Sequence, residues 1–98
     1  MEISINKEGK KLTLAAVGRI DTSTAPDFEK SITENVQGAE ELVLDMQGVE
    51  YISSAGLRVI LKAQKLMLSQ GKMKVINISE SVMEVFEITG FTDILTIE

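Results

Sequence analysis

The chemistry of this chain is concentrated between residues 45 and 58, which read Asp45-Met46-Gln47-Gly48-Val49-Glu50-Tyr51-Ile52-Ser53-Ser54-Ala55-Gly56-Leu57-Arg58. Two adjacent hydroxyls, Ser53 and Ser54, follow an apolar stretch and precede a helical pattern, where serine oxygens cap the free N–H groups of a first turn. Gly56 falls inside that turn, although glycine costs about 1 kcal/mol relative to alanine in a helix interior and less near an end. Its presence implies close approach by something to the backbone. Either a partner docks there, or Ser53 and Ser54 only cap the helix while Ala55 and Gly56 pack against a neighbouring loop; spacing leaves both open. Arg58, Lys62 and Lys65 then recur at four and three residues, on one helical face. That stripe is either a solvated face or a steering surface for an acidic partner.

The residues that most enzymes would need are missing. With no histidine, the chain has neither the usual acid/base group of neutral pH nor the commonest metal ligand. With no cysteine, it has no thiolate metal site and no disulfide, which points to a reducing compartment. No phosphate-cradling glycine loop, nucleophile elbow or zinc pattern occurs. Ser69-Gln70-Gly71-Lys72 fits a bare Ser-x-x-Lys but falls at a helix end without companion motifs, and a hydrolase using Ser54 would lack a histidine base. The reading is therefore a binding protein and not an enzyme, with no cofactor or metal of its own. Asn77-Ile78-Ser79 spells a glycosylation acceptor by accident, and Met67, Met73 and Met83 are gap fillers. A formal charge of −5 opposes nonspecific attraction to nucleic acid or anionic membranes. The apolar runs are too short to span a bilayer, so a cytoplasmic protein is expected.

The elements that must position these residues fit one domain of 98 residues, with 44% hydrophobic and 26% charged side chains. Ile3 and Ile5 alternate with polar residues, Lys7-Glu8-Gly9-Lys10 turns, and Leu12, Leu14 and Ala16 alternate again, which makes a hairpin. Thr24 with Pro26 and Asp27 opens a first helix as a Thr-x-x-Asp start, and Phe28, Ile32 and Val36 follow at four-residue spacing to its end. Glu41 to Met46 is a strand covered on both faces, followed after Gln47-Gly48 by a short apolar stretch to Ile52. The second helix runs from Ser54 to about Gln70. Val75, Ile76 and Ile78 form the next strand, Ser79 or Ser81 caps a third helix, Gly90 closes it, and Ile94 to Ile97 is a last strand. The fold class is α/β: a single domain with a mixed, mostly parallel sheet in the order ββαβαβαβ, with helical crossovers between the parallel strands.

Tyr51-Ile52-Ser53-Ser54-Ala55-Gly56-Leu57-Arg58 resembles the hydrophobic-x-(Asp/Ser)-Ser-(Ser/Thr/Ala)-Gly-Leu signature of STAS domains, particularly bacterial anti-sigma factor antagonists. Gly18-Arg19-Ile20-Asp21 with Thr24-Ala25-Pro26 is similar to the family's turn before its first helix, and Phe86-Glu87-Ile88-Thr89-Gly90-Phe91 resembles its closing segment. The resemblance implies a regulatory binding protein that sequesters an anti-sigma factor with ATP-dependent serine kinase activity. Phosphorylation at Ser54 would switch it off and a phosphatase would reset it, with ATP supplied through the kinase. It also implies a partner-binding surface of Asp21, Thr24, Ser53, Ser54, Gly56, Arg58 and Lys62. Asp21 would lie beside the phosphoacceptor, positioning the hydroxyl or contacting the partner, unless it is a turn residue bonding its own backbone. Two positions depart from the pattern: Ser53, where many phosphorylated members carry aspartate, and Arg58, where they often carry glycine. Ser53 is a neighbouring candidate acceptor. The alternative within the family is a constitutive subunit of a signalling complex or lipid transporter, in which Ser54 is never modified.

Overall fold

A computed structural model describes residues 1–98. Strands β1 (Glu2–Glu8) and β2 (Lys11–Ile20) form the expected antiparallel hairpin, with Ile3 opposite Ala16 and Ile5 opposite Leu14. Strand β3 (Glu41–Ile52) then lies parallel to β2, and β4 (Lys72–Ile76) parallel to β3, giving the sheet order β1-β2-β3-β4. Because strand side chains alternate in direction, this register sets Leu12, Leu42 and Met73 in one row across the sheet and Leu14, Leu44 and Val75 in the next. All six are buried.

Three helices complete the core. In α1 (Ala25–Asn35) the four-residue spacing buries Phe28 and Ile32, with Val36 capping the end. Helix α2 (Ser54–Leu68) lies beside α1 and over β3 and β4, and Val59, Ile60, Ala63 and Met67 form its inward face. The amide of Gln70 joins the two helices' far ends, donating to Val36 O at 2.8 Å and Ala39 O at 2.7 Å. Helix α3 (Glu80–Thr89) packs against β3; Ser79 caps it by accepting from Val82 N, and Gly90, at φ 80°, ends it in the left-handed region. Phe86 of α3 is fully buried, its ring 6.1 Å from that of Phe91. These side chains join one continuous cluster, so the chain has one core.

Three local expectations change. Strand β3 does not break at Gln47-Gly48 but runs to Ile52, with register shifts against β2 between Ala15 and Val17 and between Gly18 and Arg19. Gly48 permits this: a Cβ there would meet Val17 Cγ2 at 2.7 Å. The Thr-x-x-Asp cap also fails, because Thr24 sits at the N-cap with helical φ and ψ and caps no N–H of α1. Its hydroxyl instead donates to Arg19 O at 2.8 Å and accepts from Asp21 N at 2.9 Å. Finally, Ile94–Ile97 is not a full strand. Phe91–Asp93 forms a short 3-10 turn capped by Ile94, and only a single parallel bridge, Val75 to Ile97, joins the sheet. The order is thus ββαβαβα.

Candidate functional site

Strands β2 and β3 end side by side, at Ile20 and Ile52, and each leads directly towards a helix. The two connections are fastened together, because Ser53 N donates to Ile20 O at 2.8 Å. The carboxyl ends of parallel strands, where helices begin, are where open α/β sheets hold their functional groups. Asp21, Thr24, Ser53 and Ser54 all fall there.

Ser53 is the N-cap of α2. Its backbone is extended and its Oγ accepts from Gly56 N at 3.4 Å. Ser54 is the first residue of the helix and is exposed, and its hydroxyl enters no hydrogen bond of the fold. The two serines thus divide their roles: Ser53 is committed to the helix, while Ser54 offers its oxygen to solvent at the positive end of the helix dipole.

Gly56 lies beneath the two serines. It is buried, and a Cβ there would meet Ile20 Cγ2 at 2.6 Å and Ile52 Cγ1 at 2.8 Å. The close approach that its residue type implies is therefore made by the chain's own strands, so Gly56 sets the seating of α2.

Asp21 organises the turn between β2 and α1. Its Oδ1 accepts from the Ser23 hydroxyl at 2.7 Å, from Ser23 N at 3.0 Å and from Thr24 N at 3.1 Å. The Ser23 hydroxyl first, then the Thr24 N–H, hold the carboxyl below its ordinary value of 3.8. Asp21 thus bonds the backbone of its own turn, as a turn residue would. Beside it, the Arg19 guanidinium lies 4.3 Å from the centre of the Tyr51 ring. That pair was not legible from sequence, because it depends on the shifted register that sets Arg19 opposite Tyr51.

The basic stripe on α2 is interrupted. Lys62 Nζ lies 2.8 Å from Glu29 Oε2 of α1, so its charge is matched within the chain. Arg58 is exposed and enters no ion pair, and it lines an open groove of about 550 Å³ between α1 and α2, together with Thr22, Glu29, Lys30, Ala55 and Lys62. Spacing along α2 could not show the groove, since most of its lining comes from α1 and the turn before it. No helix is long and apolar enough to cross a membrane.

The STAS domain family profile matches residues 2–98. The chain belongs to the STAS domain family. As a STAS domain it is 34% identical, over 100% of its length and 90% of the relative's, to the anti-sigma-B factor antagonist of Listeria monocytogenes. Among solved structures it resembles an anti-sigma factor antagonist from Mycobacterium paratuberculosis, with a TM-score of 0.90 at 21% identity, covering 98% of this chain and 83% of that one. It also resembles the Bacillus cell fate determinant SpoIIAA in its phosphorylated form, with a TM-score of 0.77 at 12% identity, covering 99% of this chain and 91% of that one. At these identities the solved structures establish the STAS fold, and the ββαβαβα order of this chain agrees with it.

Proposed function

We propose that this STAS domain is an anti-sigma factor antagonist that binds, in the cytoplasm, an anti-sigma factor acting also as a serine kinase, and is released when that kinase phosphorylates Ser54. The observation that carries the reading is the exposed Ser54 hydroxyl at the start of α2, uncommitted to the fold and set where two strand-to-helix connections meet. The names of the curated relatives supply the partner class. That SpoIIAA exists in a phosphorylated form supplies the class of modification.

The step needs nothing from this chain beyond an accessible oxygen. Ser54 Oγ bonds to the γ-phosphorus of ATP, the bond to the bridging oxygen breaks, ADP leaves, and the hydroxyl proton passes to a base on the kinase. The product carries about −1.5 to −2 additional charge at neutral pH. At a helix N-terminus that charge is well placed for the fold, so α2 survives it. At a docking surface it repels acidic groups and carries a tightly held water shell, so the partner is lost. Thr22, Ala55 and Arg58 rim the same surface along the groove. A phosphatase resets the switch by hydrolysing the ester.

The test is the intact mass of the protein after incubation with ATP and the candidate kinase, run beside Ser54→Ala. One added phosphoryl group on the wild type and none on the variant supports the reading. No addition with any kinase from the same cell overturns it in favour of a constitutive STAS subunit.

A further inference from the structure

We propose that, once Ser54 is phosphorylated, Arg58 folds back along α2 and holds the phosphate, so that the modification removes a cation from the docking surface as well as adding an anion. This inference rests on the reading of Ser54 as the modified residue. Ser54 and Arg58 are separated by one helical turn on α2. Residues four apart on a helix are neighbours, with Cβ atoms about 5–6 Å apart, and an anion placed N-terminal to a cation is the favourable order. Helical side chains also lean towards the N-terminus, which carries the long Arg58 stem towards Ser54. Guanidinium is the side chain best matched to a phosphate, because its planar fork donates two parallel hydrogen bonds.

The charges around the site single out Arg58. Lys62 is held by Glu29 at 2.8 Å, and Lys30 faces Glu34 along α1 at 3.9 Å. Asp21 is occupied by Ser23 and Thr24. Arg58 is the one cation lining the groove that has no ion pair, and it is exposed. In the unmodified protein its charge is available to an acidic group of the partner. In the phosphorylated protein the same guanidinium is neutralised from within.

The experiment installs phosphoserine at position 54 during translation, so no kinase is needed, and follows the 31P resonance through its second ionisation in wild type, Arg58→Gln, Arg58→Lys and Lys62→Gln. A cation that holds the dianion lowers the titration midpoint. The expected result is a wild-type midpoint about 0.2–0.4 lower on the pH scale than that of Arg58→Gln, with Arg58→Lys in between and Lys62→Gln matching wild type. Equal midpoints in wild type and Arg58→Gln overturn the proposal. So does a change in Lys62→Gln as large as in Arg58→Gln, which would signify a diffuse field. Because Arg58 is exposed, the variants keep the fold, and thermal unfolding of the unmodified forms verifies this. A kinase that never modifies Ser54 would end the switch reading while leaving this midpoint difference intact, so the two fail separately.

Discussion

At Gly56 the backbone of α2 lies against the side chains of Ile20 and Ile52, and a single added carbon would fall within 2.8 Å of both. Neither isoleucine can swing away, because both are buried where β2 and β3 end. Gly56→Ala should therefore cost about 1–2 kcal/mol by overpacking, despite the better helix propensity of alanine, measured as a lowered urea midpoint with unchanged slope. Asp21 gives a second test at this scale. Its folded carboxyl titrates below the ordinary value of 3.8, so its contribution to stability is present above that value and fades as pH falls through the lower folded one. Asp21→Asn keeps an oxygen to accept from Ser23 and Thr24 but carries no charge. The variant should lose less stability than the wild type over that acid window, as read by unfolding midpoints at successive pH values.

Helix α2 depends on Ser53 for its first turn, and Ser53→Ala should cost about 1 kcal/mol, with Ser54→Ala costing less since its hydroxyl bonds to nothing in the fold. Thermal unfolding of the two variants side by side measures the difference and separates cap from candidate acceptor. Much of this element structure was legible in the sequence. The hairpin followed from alternation at Leu12, Leu14 and Ala16, the inward face of α1 from the spacing of Phe28, Ile32 and Val36, and the limits of α3 from Ser79 or Ser81 and Gly90, with Ser79 the cap the structure uses. What escaped reading depends on other elements. Gly48 looked like a break because its tolerance comes from Val17 on the neighbouring strand, and Thr24 looked like a cap because its bond to Arg19 O lies outside the helix. Ile94–Ile97 looked like a strand because apolar alternation does not reveal that a 3-10 turn claims its first residue. At the site, the serines were readable as a helix start, but the partner of Gly56, the Lys62–Glu29 pair and the groove beside Arg58 are products of packing α2 against β2, β3 and α1.

The whole molecule is compact, with a Cα radius of gyration of 12.1 Å, near the roughly 12.6 Å typical of a folded chain this long. Leu95, 7% exposed, joins the core from the terminal segment, so Leu95→Ala should cost about 2–4 kcal/mol, seen as a loss of cooperative stability in the entire domain. Phosphoserine at position 54 should leave the radius of gyration unchanged in small-angle scattering, because the charge is added outside a closed core. Packing also divides the surface around the start of α2 into a frozen part and a free part. Gly56 is locked by Ile20 and Ile52, Ser53 by the cap, and Asp21 by its own turn, whereas Thr22 and Arg58 face the groove exposed, with no such obligation. If the proposed docking surface is the one used, partner choice falls to these few exposed positions, so it can drift there by single substitutions while the buried frame beneath them stays the same.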